Sequence, residues 1–285
     1  MKIIDANSKP PASVMLDLRF YAGGVALGSR AKRGMPLDPA FELRSMDLYA
    51  KQQSDVGVVH TLIHARAKGP GSSPNNSHEE IPNDEVAQLC AQYPQFSGIA
   101  SVDPLADPSA ADKAAQLLNI GFKGIEMLPG WMPEPTKADD RRLFPIYETC
   151  VAHDKPVFLV NGGNAGPDMS YSDPVHVDRV AAAFPRLKII VCYAGWPYVY
   201  QALGLVYRRP NVWLMPDSYF PGMPGESEYL GAMRTFGRER FLFSFYYPMN
   251  PQREHLERIM SLNIEPEILE RYLCGNAADL FGIEV

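Results

Sequence analysis

The stretch Asn119-Ile120-Gly121-Phe122-Lys123-Gly124-Ile125-Glu126-Met127-Leu128 joins the end of a helix to the start of a strand. Residues 110–118 before it have a helical pattern, and Gly121 can end that helix because glycine readily takes a positive φ. The β-branched segment 123–128 then predicts a short strand. A helix that leads directly into a strand is typical of an α/β protein with parallel strands.

The same unit recurs along the whole chain. Eight short apolar runs are each followed by a helical pattern, and they lie at 2–5, 56–63, 97–102, 123–128, 156–160, 188–193, 211–215 and 240–245. Parallel strands joined by right-handed crossovers, eight times in a chain of this length, predict a closed (β/α)8 barrel. We therefore expect one α/β barrel domain over residues 1–285.

Two stretches, 10–37 and 68–82, interrupt this repeat as long loops after strands one and two. Both follow strands, so both are expected on the barrel face where active sites lie. The first loop carries the basic residues Arg19, Arg30, Lys32 and Arg33. It is either a substrate lid whose cations await an anion or a loose surface loop.

The composition excludes several classes of function. With 285 residues, 46% hydrophobic content and a net charge of -6, the chain can bury a large core and has no basic stripe for nucleic acid. The four cysteines form no C-x-x-C pair, which favours reduced thiols in a cytoplasmic protein. No signal peptide is recognisable and no apolar run approaches the roughly 18 residues that span a bilayer, so we expect no membrane contact.

Polar residues lie where several predicted strands end. Asn7 and Lys9 follow strand one, Asn161 follows strand five, Tyr193 ends strand six and Tyr246 ends strand eight. Side chains alternate between the two faces of a strand. If no bulge intervenes, the five side chains point into the barrel mouth.

Several motifs make the chain resemble the amidohydrolase-2 family over nearly its whole length. They are, in order, 121–126 (GFKGIE), 144–148 (FPIYE), 184–188 (FPRLK), 210–212 (PNV) and 274–280 (CGNAADL). The resemblance implies a TIM barrel with hydrolase or non-oxidative decarboxylase activity. It also implies that the metal-dependent members carry histidines on strands one, five and six and an aspartate on strand eight.

The positions of this chain that match those metal ligands are Asn7, Lys9, Asn161, Tyr193 and Tyr246. An amide oxygen is a weak ligand, a lysine is cationic and a tyrosine is protonated near neutral pH. A catalytic zinc needs about three good protein ligands. We therefore predict a site without a metal or another cofactor.

Without a metal, preorganised charges and hydrogen bonds must do its work. The predicted catalytic residues are the cation Lys9, the candidate bases Glu126 and Asp217, and the phenols Tyr193 and Tyr246. The predicted substrate-binding residues are Asn7, Asn161, His64, Trp131 and Trp196. Asp5 lies deeper and is expected to bond neighbouring strands, while His153, His176 and His255 are expected at the surface.

Three functions remain open at this point. The first is a metal-independent hydrolase of a small carboxylated cyclic compound such as a lactone. The second is a non-oxidative decarboxylase of an aromatic or unsaturated carboxylic acid, and the third is a catalytically inactive ligand-binding protein. In each case the expected partner is a small molecule, and related barrels commonly pair, which suggests a homodimer by analogy.

Overall fold

The computed structural model of the protein describes residues 1–67, 80–163 and 165–285. Seven strands form one sheet in which each strand pairs in parallel with the next along the chain. The strands are β1 Ile3–Ser8, β2 Val58–His64, β3 Phe96–Ser101, β4 Ile125–Met127, β5 Val157–Val160, β6 Ile189–Cys192 and β7 Val212–Met215. These are seven of the eight predicted strands, with boundaries shifted by a few residues.

The segment predicted as strand eight, 240–245, is not a regular strand, which corrects that expectation. Its backbone nevertheless bonds both edges of the sheet: Leu242 N donates to Leu214 O at 2.9 Å, and Ala6 N donates to Phe243 O at 2.9 Å. The ladder is interrupted because Phe245 N donates to the Asp5 carboxylate at 3.0 Å instead of to a backbone carbonyl. The sheet is therefore curled, and a closed eight-stranded barrel stays a prediction.

Helices surround this sheet in the described part of the chain. They are α1 Ser13–Leu16, α2 Val25–Lys32, α3 Pro39–Glu42, α4 Met46–Val56, α5 Asn83–Gln92, α6 Ala110–Asn119, α7 Phe144–Ala152, α8 Pro174–Ala183, α9 Val199–Arg208, α10 Glu226–Met233, α11 Gln252–Ser261, α12 Pro266–Glu270 and α13 Asn276–Phe281. None of them is long and apolar enough to cross a membrane. Strands β5 and β6 are buried on both faces, which explains their continuous apolar runs.

The helix ends follow the sequence signals closely. Helix α8 begins at Pro174, and the Asp173 carboxylate caps it by accepting from Val175 N at 2.9 Å. Gly121 has a φ of 113° after α6, as its position predicts. The N-cap residue of α6 is Ser109, and its backbone N donates to the carboxylate of Asp107, two residues earlier, at 2.9 Å.

Two cations of loop 10–37 hold the loop in place. The Arg30 guanidinium is buried, lies 2.7 Å from the Asp38 carboxylate and donates to Pro248 O at 2.8 Å. The Arg33 guanidinium donates to Met249 O at 2.6 Å and to the Asn250 side chain. These two arginines therefore anchor the loop instead of awaiting an anion. Residues 68–79 of the other predicted loop lie outside the described residues.

Two histidines expected at the surface are buried. His176 bonds Asp139 at 2.8 Å and is 7% exposed. His255 is 1% exposed and lies against the rings of Phe243 and Phe245. Burial lowers the pKa of His255 to about 3, so its ring is neutral and packs as part of the core.

Candidate active site

Tyr193 and Tyr246 meet at the carboxyl ends of the strands. Their hydroxyl oxygens are 2.6 Å apart, and their rings meet edge to face with centroids separated by 5.6 Å. Both side chains are buried, and burial raises both phenol pKa values, so both hydroxyls are protonated at neutral pH. One hydroxyl donates to the other, which leaves the acceptor's own hydrogen free for a ligand.

The backbone around this tyrosine pair is strained. Tyr193, Ala194, Asp217 and Tyr246 all have positive φ, between 47° and 62°. Such angles cost about 1–3 kcal/mol each in residues other than glycine, and they persist only where the surroundings enforce them. Strain of this kind is concentrated at functional sites, so these loop starts are the best candidates for one.

Asp217 holds the tyrosine pair from below. Its carboxylate accepts from Tyr193 N at 3.1 Å, from Asn7 Nδ2 at 3.3 Å and from Ser244 Oγ at 2.5 Å. Asp217 itself follows β7, and it thereby connects Asn7 of β1, Tyr193 after β6 and Ser244 of the segment 240–245. Burial raises the pKa of Asp217 to about 6, so the group is ionised above that pH. The base role predicted for it stays a prediction, because its oxygens face these donors.

Lys9 is the buried cation of the site. Its Nζ donates to Asn7 Oδ1 at 3.2 Å and lies 5.3 Å from the Tyr246 ring centre and 5.8 Å from that of Phe20. Burial lowers the pKa of Lys9, and Arg66 lowers it further, while Glu126 and Asp217 oppose this shift. The Lys9 ammonium group therefore lies beneath the rings of Tyr246 and Phe20, where its positive charge can attract a negatively charged ligand.

His64 and Glu126 form a second buried pair. His64 Nδ1 is 2.5 Å from Glu126 Oε2, and its Nε2 is 2.9 Å from the Ala6 carbonyl oxygen. A carbonyl only accepts, so Nε2 carries a hydrogen, while Nδ1 is hydrogen-bonded to the carboxylate. Burial raises the pKa of Glu126, but the charge and hydrogen bond of His64, together with the charges of Lys9 and Arg66, outweigh burial and lower it. Both histidine nitrogens are thus occupied.

The remaining predicted residues lie farther apart. Asn161 donates to Ser172 O at 3.1 Å and is buried. The Trp196 ring stacks on Tyr219 with centres 4.6 Å apart, and its Nε1 donates to Pro224 O. Trp131 lies edge-on to Tyr193 at 6.4 Å. Trp131 therefore contacts the tyrosine pair directly, and Trp196 is connected to it through the Tyr219 ring.

A cavity of about 690 Å³ lies above the tyrosine pair. Of the ten predicted site residues, Trp131, Tyr193 and Tyr246 line it, and the other seven do not. Its described wall contains four cations, Arg19, Lys32, Arg33 and Arg66, and no carboxylate or imidazole. The tyrosine pair thus separates a cationic cavity from the ionised groups below.

Sequence reasoning missed Arg66 and Phe20. Arg66 lies two residues after His64, on the same strand face, which is the signal that could have identified it. Its guanidinium lies 5.6 Å from the Phe20 ring centre and 5.8 Å from that of Trp131. It is 8% exposed, so it forms a cationic part of the cavity floor.

The residues present do not fit a divalent metal. The five positions that match the family's ligands hold an ammonium group bonded to an amide oxygen, a second amide, and two phenols bonded to each other. Within residues 1–67, 80–163 and 165–285, no three His, Cys, Asp or Glu side chains lie close enough to hold a metal ion. The donor chemistry is that of an anion site rather than a cation site.

Asp5 should make stability depend on pH. Burial raises its pKa to about 8, while the unfolded value is near 3.8. Between these values the folded state binds more protons than the unfolded state, so stability falls as pH rises. From pH 6.5 to 8 we expect a loss of about 2 kcal/mol in the free energy of unfolding. This window lies above the pKa values of His255 and Asp217.

Urea unfolding of the wild type and of Asp5→Asn across this window tests the prediction. The asparagine keeps an acceptor for Phe245 N and Asn7 N, which both bond Asp5 Oδ1. The variant should therefore show a flatter profile. Parallel profiles for the two proteins would mean that Asp5 is ionised in the folded state.

Comparison with known proteins identifies a family and several similar structures. The model of the amidohydrolase family matches residues 20–283. No curated protein matches the chain. An uncharacterised TIM-barrel protein from Bordetella bronchiseptica is similar, with 31% identity over 99% of each chain and a TM-score of 0.90.

Two decarboxylases have a similar fold at lower identity. The 5-carboxyvanillate decarboxylase of Sphingomonas paucimobilis is 16% identical over 99% of each chain, with a TM-score of 0.65. A dihydroxybenzoic acid decarboxylase from Polaromonas, solved with manganese and 2-nitroresorcinol, is 18% identical over 99% of this chain and 97% of its own, with a TM-score of 0.70.

Proposed function

The chain belongs to the amidohydrolase family, and we propose that it is a lyase that removes CO₂ from a small aromatic or unsaturated carboxylic acid without a divalent metal. One observation carries this proposal. The described cavity wall offers cations and phenols but no carboxylate or imidazole. Hydrolysis needs a base to activate water, whereas decarboxylation needs an anchored carboxylate and a proton donor.

In the proposed reaction, the substrate ring lies among the aromatic side chains, and Arg66 attracts its negative charge. The free hydrogen of the Tyr193–Tyr246 pair passes to the carbon that bears the carboxylate. The bond from that carbon to the carboxylate then breaks, CO₂ leaves, and the bonding electrons stay on the ring. The phenolate that remains is stabilised by Arg66, whose charge opposes the rise in pKa that burial causes in both tyrosines, and it recovers a proton from water.

The decarboxylases of similar fold support the proposed class of reaction. Their names show that this fold serves the removal of CO₂ from hydroxylated benzoic acids. The Polaromonas enzyme was solved with manganese, whereas the matching positions here do not suit that ion. The neighbours support decarboxylation as the reaction class, whereas the catalytic groups are proposed from this chain's own residues.

A panel of carboxyl-¹³C acids tests the reaction directly. EDTA-treated protein is incubated with 2,6-dihydroxybenzoate, 5-carboxyvanillate, simpler hydroxybenzoates and cinnamates, and labelled CO₂ is measured. We expect release from at least one acid, unchanged by EDTA. Activity that EDTA abolishes and manganese restores would contradict the metal-independent mechanism. Binding of these acids without release would favour the inactive ligand-binding protein.

A lactone hydrolase is the second candidate, and Asp217 is the observation in its favour. This carboxylate is ionised above pH 6 and lies directly below Tyr193, so it could activate water if the tyrosine pair separated. A pH indicator would report acid released from a lactone panel under the same conditions. Lactone opening without CO₂ release from any acid would replace the lyase proposal with this one.

A further inference from the structure

Five side chains of the cavity wall form a closed ring of contacts. The Arg66 guanidinium lies 5.6 Å from the Phe20 ring centre and 5.8 Å from that of Trp131. The Phe20 ring centre is 6.3 Å from that of Tyr246. Tyr193 completes the ring, because its centre lies 5.6 Å from that of Tyr246 and 6.4 Å from that of Trp131. Four of the five follow strands or the segment 240–245, so Phe20 is the contribution of loop 10–37.

Phe20 lies against two cations. Its ring centre is 5.6 Å from the Arg66 guanidinium and 5.8 Å from the Lys9 Nζ. Phe20, Tyr246 and Arg66 line the cavity, whereas Lys9 does not line it and is 2% exposed. Burial lowers the pKa of Lys9 and the charge of Arg66 lowers it further, so the two cations repel each other. The rings of Phe20 and Tyr246 therefore cover Lys9 and leave Arg66 open to a ligand.

The cover over Lys9 has a consequence for a carboxylic acid. The Lys9 Nζ donates to Asn7 Oδ1, and an ammonium group has three hydrogens, so an uncovered Lys9 would also bond a carboxylate. In the proposed reaction the negative charge leaves the carboxylate as CO₂ departs. An ion pair at the carboxylate is therefore stronger before this step than during it, and binding of that kind slows the step. One cation orients the acid, whereas direct contact with a second would stabilise the bound acid against reaction.

We propose that Phe20 is a specificity-determining residue that admits a substrate carboxylate to Arg66 and excludes it from Lys9. Loop 10–37 thereby controls which of the two cations the substrate contacts. Lys9 then acts on the bound acid only through its charge at a distance. This inference rests on the proposed function, because it assumes that a carboxylic acid binds in the cavity.

Reductive methylation with formaldehyde and a borohydride reductant measures whether Lys9 is covered. The peptide that contains Lys9, quantified by mass spectrometry, should stay unmodified in the wild type and become methylated in Phe20→Ala. Phe41→Ala is the matched control, because Phe41 is 7% exposed against 8% for Phe20 and also lies against an arginine, Arg30. Lys9 should stay protected in this control. Equal protection of Lys9 in Phe20→Ala and in the wild type, or equal exposure in the two phenylalanine variants, would overturn the inference.

Calorimetric titration with benzoate tests the consequence for binding. Lys9→Met should weaken benzoate binding at least about tenfold in the Phe20→Ala background, where Lys9 can bond the carboxylate, and much less in the wild type. In the wild-type background, which requires no phenylalanine variant, Arg66→Met should weaken binding more than Lys9→Met. Three outcomes would each overturn the inference: an equal effect of Lys9→Met in both backgrounds, the reverse order of Arg66 and Lys9, or no binding by any of these proteins.

The labelled-CO₂ panel tests the decarboxylase separately, because it uses the wild type alone. Release of CO₂ by a protein whose Lys9 is already methylated in the wild type would refute the role of Phe20 and leave the lyase standing. No release from any acid, with the methylation and benzoate results as expected, would refute the lyase and leave Phe20 as the residue that directs a carboxylate to Arg66.

Discussion

Replacing Asp38 with asparagine should lower the free energy of unfolding by about 3–5 kcal/mol. The Asp38 carboxylate lies 2.7 Å from the Arg30 guanidinium, and the two side chains are 5% and 1% exposed. Asparagine keeps an oxygen for Tyr247 and for the N-terminus of α3, which Asp38 Oδ1 now serves. The variant therefore removes the charge alone and leaves a buried guanidinium without its counterion.

An exposed ion pair of the same length provides the matched control. Lys51 and Asp55 are also 2.7 Å apart, but they are 68% and 39% exposed, so Asp55→Asn should cost less than about 1 kcal/mol. Urea unfolding measures both variants. The double variant Arg30→Met/Asp38→Asn should recover part of the loss. Equal costs for Asp38→Asn and Asp55→Asn would show that the buried pair does not hold loop 10–37 in place.

Much of the fold follows from local patterns that the sequence displays openly. The strands at 189–192 and 157–160 are buried along their whole length, so their apolar runs identified them directly. The segment 240–245 has an equally apolar sequence but does not form a regular strand. Its ladder is interrupted by a hydrogen bond to the side chain of Asp5, which is distant in sequence. A bond of this kind cannot be inferred from periodicity.

The sequence predicts where the site lies, but it does not predict which of its side chains cover the others. Asn7, Lys9, Tyr193 and Tyr246 contact one another at the strand ends, although the register of β1 shifts between Asp5 and Ser8, so strand parity alone does not explain their arrangement. Parity does not show which side chain covers another. The two tyrosines are long enough to meet above the shorter polar groups, and their strained backbone directs them there. Arg66 lies beyond the end of β2, outside the apolar run, so the strand pattern does not identify it.

The largest effect on turnover should come from removing the hydroxyl of Tyr246. Under the proposed mechanism the tyrosine pair supplies the proton that replaces CO₂, so Tyr246→Phe should lower kcat by about 10²–10⁴-fold. The same reasoning applies to Tyr193→Phe. Substrate affinity should change little, because Arg66 and the aromatic wall remain. Each variant leaves one hydroxyl unpaired, which should cost about 1–3 kcal/mol of stability.

Tyr219→Phe is the control for this prediction, because it makes the same chemical change in the same cavity wall. The Tyr219 ring lies 5.7 Å from that of Tyr193, but Tyr219 is outside the hydroxyl pair. With the acid identified by the labelled-CO₂ panel, kcat and KM are measured for the three variants. A loss of kcat confined to Tyr193 and Tyr246 would support their role as proton donors. If Tyr219→Phe reduced kcat equally, the pair would be no more than part of the binding surface, and the proton would have to come from another group.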